Sequence, residues 1–265
     1  MRRTSILFLF PAFILFGFSS DVEPDKKEVK KAIPLGGAKV LNTKIEFPVG
    51  NLGISTVSTR TTRGVFKFRR EKWEPEINYD KENGEGYLRM SSEGSVSLDI
   101  GEPGNRGFDD DDQSDWKVVF PREVPHDLDV EMLAGNGDID LEGSRLEEFE
   151  FSMKAGEVKI NLRNTSVPDV EFKAIAGNAT IDFSGKWRND LRADIRGGFG
   201  SIILRLPEDM GVELEVHGIL GQVDAPGMKR DHHRYTNKLF GETRHRLYLD
   251  VSGGIGDVEV EWVGD

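Results

Sequence analysis

Six segments of this chain repeat one pattern, and that repetition limits the fold more than any other feature of the sequence. Leu128–Glu142, Phe149–Arg163, Val170–Ser184, Leu191–Arg205 and Val212–Pro226 start 21 residues apart, and Leu247–Glu261 starts 35 residues after the fifth. Each has three alternating apolar positions, a glycine-rich turn and two further apolar positions. Before the turn the columns read Leu128, Phe149, Val170, Leu191, Val212, Leu247; Val130, Phe151, Phe172, Ala193, Leu214, Leu249; and Met132, Met153, Ala174, Ile195, Val216, Val251. After it they read Ile139, Ile160, Ile181, Ile202, Val223, Val258 and Leu141, Leu162, Phe183, Leu204, Ala225, Val260. All 30 positions are apolar in a chain that is 37% hydrophobic, so chance does not explain the register.

Alternation with period two is the signature of strands with one buried face. Asp129, Glu131, Glu150, Lys173, Arg192, Glu213, Glu215 and Asp250 fall on the opposite, wet face. Glycines at Gly135, Gly156, Gly177, Gly198 and Gly254 stand where the chain must turn; Ile219 interrupts the column between Gly218 and Gly221. An antiparallel meander does not require equivalent positions to keep their character, whereas stacked coils place like on like. The expectation is an all-β chain: a β-solenoid, single-stranded and β-helix-like, of six 21-residue coils, roughly 30 Å long at the usual inter-strand spacing. With almost nothing after Trp262 and Val263, the last coil is expected to leave an open edge.

The rest of the chain divides around this array. Residues 1–19 read as a secretory signal, with Arg2 and Arg3 before an apolar run from Ile6 to Phe18 and a cut after Ser19. Residues 20–37 form a charged linker, and 38–118 a smaller hairpin-rich β domain that includes the loop Gly101 to Asp115. The repeats occupy 119–265, with an insertion at 226–241 before the last copy. No later stretch is apolar enough to span a bilayer, so no transmembrane segment is expected in the mature chain, which is taken as periplasmic or extracellular.

The chain has no cysteine, which removes disulfides, thiol catalysis and thiolate metal sites. Its net charge of −12, two units more acidic once Arg2 and Arg3 are removed, argues against nucleic acid as a partner. Lys67, Arg69, Arg70 and Lys72, interleaved with Phe68 and Trp73, then read as an exposed strand face.

The residues also resemble a known family. Glu74–Tyr79 after Trp73, Gly84–Met90, and Trp116–Pro121 leading to Val124–Leu128 are similar to the N-terminal module of bacterial toast-rack proteins and its junction with the repeats. Gly198–Val212, Tyr235–Asn237 and Gly253–Asp257 are similar to the C-terminal domain of LiaF-like proteins of the cell-envelope stress response. The resemblance implies an adhesin-like β-solenoid, and a binding or envelope-stress role rather than catalysis.

No catalytic, cofactor-binding or metal-ligating residue is assigned, and no cofactor. Gly135–Asp138 and Gly253–Asp257 look superficially like calcium-binding glycine-aspartate turns, but that repeat has a nonapeptide period and this one does not. Asp109 to Asp112 with Asp115 lack the spacing of a calcium loop and read as a solvated acidic run. His232 and His233, with Asp231 before them and His245 after, are the one histidine cluster, yet adjacent histidines on a loop seldom ligate one ion. His217 belongs to no cluster that sequence reveals.

The function expected is that of an exported, non-catalytic binding or scaffold module of the cell envelope, with self-association through the open edge and an envelope protein or glycan as partner. The alternative is a polysaccharide-active enzyme using outward carboxylates such as Asp140, Asp182, Asp224 and Glu259.

Overall fold

The computed structural model describes residues 26–92, 113–165 and 167–264; the signal segment, linker residues 20–25 and the acidic run 109–112 lie outside them, while the rest of the expected linker is no loose tether, since Lys27–Pro34 forms a strand. The described chain is all-β apart from a single 3-10 turn at Glu71–Trp73. Its strands are β1 (Lys27–Pro34), β2 (Val40–Val57), β3 (Thr61–Phe68), β4 (Pro75–Glu82), β5 (Glu85–Ser92), β6 (Ser114–Pro121), β7 (His126–Asp140), β8 (Leu146–Asn161) and β9 (Asp169–Asp182). They continue as β10 (Leu191–Phe199), β11 (Ile202–Pro207), β12 (Gly211–His217), β13 (Val223–Asp224), β14 (Lys229–Asp231), β15 (Arg234–Thr236), β16 (Arg246–Ile255) and β17 (Val258–Val263). All 17 belong to one open sheet.

Each repeat forms a layer of two arms joined at a glycine bend, and layers pair in parallel. β7, β8 and β9 run through both arms, and Phe149 sits beside Leu128 and Val170, Ile160 beside Ile139 and Ile181. Like therefore stacks on like: the rings of Phe151 and Phe172 lie 5.5 Å apart and 8° from parallel. Burying each such side chain contributes about 1.5–3 kcal/mol. At the bend the layers approach so closely that a Cβ on Gly156 would sit 1.9 Å from the carbonyl oxygen of Gly135, at φ +139°. Only glycine fits there.

The connections between layers follow the same period. Ser144 Oγ donates to the Leu141 carbonyl (2.7 Å) and Thr165 Oγ1 to that of Leu162 (2.8 Å). Trp187 Nε1 does the same for Phe183 (2.7 Å), so each carbonyl at the end of a second arm is satisfied before the chain returns.

Three features depart from the sequence expectation. First, the parallel stack continues beyond the six repeats. β2 lies against β7 along its whole length, Ile45 beside Val130 and Ile54 beside Ile139, and β5 and β6 lie against the two arms of β2. Second, β10 and β11 pair with β9 two residues further along than the repeat alignment, Ala193 beside Val170 and Leu204 beside Ile181. Third, the layers do not stack in chain order. β16 and β17, the last in sequence, pair with β10 and β11 on one side and with β12 and β13 on the other.

The insertion explains how the end is closed. Its strands β14 and β15 form a hairpin, and β15 pairs antiparallel with β12, Tyr235 opposite Leu214. Tyr235 of this cap is buried. At the other end β4 covers β5, while β3 and then β1 cover β6, all antiparallel. Glu259 has neighbours on both sides, so the edge expected at the last coil is confined to the outer side of β17 beyond that residue.

Candidate functional site

Two surfaces arise directly from the stacking. The first is the outer face of the first arms, where register aligns Arg89, Lys44, Asp129, Glu150, Glu171, Asp194, Asp250 and Glu215 in one row across eight strands. Six successive carboxylates side by side repel one another. Cations relieve one end: Lys44 Nζ reaches Asp129 at 3.0 Å and Glu131 at 2.5 Å, and the hydrogen bond to Glu131 is the main cause holding its ammonium above its usual range. Arg89 grips both oxygens of Glu46 at 2.8 Å. Deeper in the row, partial burial and then the charges of Asp129, Glu148 and Glu171 push the Glu150 carboxyl upward. Asp127 is pushed up as well, by burial and then by Glu147, Glu148 and Glu85. Around Lys44, Tyr79, Tyr87 and Asp127 this face carries an open depression of about 750 Å³.

The second surface is an apolar ridge along the bend. The residue before each bend glycine is apolar in seven layers: Val49, Ala134, Ala155, Ala176, Phe199, Ile255 and Leu220, each beside the next. The side chains are small in the middle layers and large at the far end, where Phe199, Ile255 and Leu220 are 60%, 54% and 72% exposed. Ile175 adds a further exposed side chain beside them. Three large apolar groups on adjacent layers, spanning roughly 10 Å at the usual strand spacing, form a contiguous patch rather than scattered exposure.

The carboxylates considered for an enzyme fall into two rows, Asp140 and Asp182 flanking Asn161 in one and Asp224 with Glu259 in the other. The two-residue shift sets Asp182 beside Arg205, whereas Asp224 lies beside Glu259 in another row. Asp140, Asn161 and Asp182 each accept a hydrogen bond from the backbone N–H two residues on, at 3.2, 3.1 and 2.9 Å, and so shape the turn that follows. Asp257 accepts from the Gln222 N–H of the neighbouring layer at 2.8 Å and so ties two layers together. Asp115 accepts from Lys26 (2.7 Å) and Asn51 (2.6 Å); burial works to raise its carboxyl, but these two bonds prevail and hold it low. Phe68 and Trp73 are buried, so the basic strand carries no exposed aromatic platform.

The histidines are distributed differently from their sequence grouping. His232, at φ +56° in the tip of the hairpin, turns to Asp231 (2.8 Å), and His245 lies 3.7 Å from Asp190. His233 instead faces His217, which stands with Glu215 and Asp250. The ridge and this grouping escaped sequence reasoning because both depend on the order and register of the last layers. An apolar residue before a glycine, seven times over, is the signal that points to the ridge.

Among the described residues no helix is long and apolar enough to cross a membrane. A protein from Clostridium sporogenes, provisionally named a cell adhesion protein, shares the fold, with TM-score 0.67, 22% identity, and 90% of this chain and all of that one covered. A provisionally named adhesin from Bacteroides fragilis aligns over 89% of this chain and 97% of its own at 13% identity, with TM-score 0.26. No curated protein matches. The model of the N-terminal domain of toast_rack, DUF2154, matches residues 21–173 and again 148–205, more than half of the sequence. The chain belongs to the toast-rack family.

Proposed function

We propose that this protein is an exported, non-catalytic binding module of the bacterial cell envelope, a β-solenoid that docks a partner along the ridge Phe199, Ile255, Leu220. The exposed ridge carries the reading: three large apolar side chains stand side by side before glycines where neighbouring backbones approach closely, and leaving them in water serves no purpose in the fold. Family membership and the fold shared with a provisionally named adhesion protein support it. Self-association is assigned to the outer edge of β17 beyond Glu259, where a second copy can add a strand.

The test is saturable binding of labelled protein to envelope fractions of the producing organism. Phe199→Ser with Leu220→Ser is expected to abolish binding while the melting temperature is kept. Binding untouched by the double variant removes the ridge from the account, and absence of saturable binding removes the module reading. Polysaccharide turnover lost in both Asp182→Asn and Asp224→Asn replaces it with an enzyme.

A further inference from the structure

The hairpin that closes the stack brings together ligands that lie far apart in sequence. Glu215 and His217 alternate on β12 and so share its outer face, and Asp250 on β16 lies directly beside Glu215. One ligand atom from each of Glu215, His217 and Asp250 falls within 4.8 Å of the others, with His217 Nε2 3.5 Å from Glu215 Oε2. Ligand atoms on neighbouring corners of a tetrahedral zinc site are about 3.4 Å apart, given metal–ligand bonds of about 2.0–2.1 Å.

A second imidazole arrives from a separate element. The Val216 N–H donates to the His233 carbonyl at 2.8 Å, which fixes the hairpin against β12 at this level. The His233 and His217 rings then lie 5.5 Å apart between centroids, tilted by 40°. Two imidazoles bound to one tetrahedral ion place their centroids about 5 Å apart on the same bond lengths, so His233, which lies outside the 4.8 Å grouping, joins the ion by a turn of its side chain.

Charge favours a cation here. Asp250 stands between Asp194 and Glu215 in the carboxylate row and makes no ion pair among the described residues. Arg196 on the same face is taken by Asp194 at 2.6 Å, and Arg234, opposite Glu215, turns to Glu213 instead. Two imidazoles with two carboxylates suit zinc or another borderline divalent transition metal better than calcium, which takes oxygen ligands alone.

We propose that Glu215, His217, Asp250 and His233 form a divalent transition-metal site that fastens the β14–β15 hairpin to the end of the stack. The site stands apart from the docking reading, since none of its side chains belongs to the ridge.

The experiment is calorimetric titration of Zn²⁺ into the purified full-length protein, with melting temperature followed in parallel. One ion per chain is expected. His217→Ala and His233→Ala are each expected to weaken binding about tenfold or more, as loss of a ligand or its support does. His232→Ala, whose ring turns away to Asp231, is expected to bind as the parent does. Zn²⁺ is expected to raise the melting temperature of the parent and leave that of His217→Ala unchanged, the two melting alike without metal. Three results each overturn the proposal: no stoichiometric uptake by the parent, undiminished binding by His217→Ala, or a loss in His232→Ala equal to that in His233→Ala.

Discussion

His126, at the start of β7, is buried and gives the structure a pH dependence that can be isolated. Its Nε2 lies 2.8 Å from Thr43 Oγ1 and its ring packs edge-on against Phe120 at 4.7 Å. Burial pushes its imidazole down to about 3, against about 6.5 in an unfolded chain. Between those values the unfolded state binds the extra proton and the folded state does not, so stability rises with pH. The contribution is complete above about pH 6.5 and is lost progressively as pH falls towards 3. At about 1.36 kcal/mol per pH unit, acidification from pH 7 to pH 5 removes about 2 kcal/mol, and the full shift is worth about 5 kcal/mol. Urea unfolding at a series of pH values for the parent and for His126→Gln tests this. Carboxylates such as Asp115 and Asp127 titrate in both proteins, so the difference between the two profiles reports the imidazole. Profiles that run parallel from pH 7 to pH 5 refute the reasoning.

Other perturbations discriminate the remaining claims. Gly156→Ala meets both a carbonyl at 1.9 Å and a positive φ, and is expected to cost on the order of 3 kcal/mol or more, whereas Gly143→Ala, at φ +65° with open space around it, should cost about 1 kcal/mol by chemical denaturation. Asp182→Asn keeps an acceptor for the Ser184 N–H, so the change in stability is expected to stay below about 1 kcal/mol. Deleting residues 245–264 takes away the layer that joins β12 to β10; limited proteolysis is expected to cut the stranded segment 211–237, which survives in the full chain. Sedimentation across a concentration series checks self-association, and a monomer throughout counts against the β17 edge.

The alternation of apolar residues revealed the strands, their buried face and the glycine bends, because a period of two leaves little freedom in which side chains enter the core. The same property concealed the shift at Ala193. A slip of two residues keeps every side chain on its face, so an alignment on Leu191 satisfied the pattern equally well while Gly177 actually meets Gly200. The layer formed by β2 was hidden by polar residues in core columns: Thr43 lies beside Leu128 and is buried, as is Thr56. The layer of β5 and β6 was hidden by the chain between Ser92 and Ser114, which separates its arms. Stacking order was beyond reach for a different reason, since consecutive elements are usually neighbours and nothing in residues 212–263 announces the exception. The grouping of His217 with His233 and Asp250 depends on that exception, and so became visible only in three dimensions.

The inward placement of β16 and β17 bears on how the molecule comes into being. A chain that emerges amino terminus first makes β12 well before β16, yet β12 reaches β10 only through β16. The growing protein can complete its layers as far as β11, but Gly211 to Thr236 must wait, without its native place to dock, for β16 and β17. Closure is then a single late event in which the carboxyl-terminal strands enter between a finished body and a waiting flap. A nascent chain that has exposed β12 but not yet β16 should therefore hold a protease-sensitive flap that arrival of β16 and β17 converts to a resistant one.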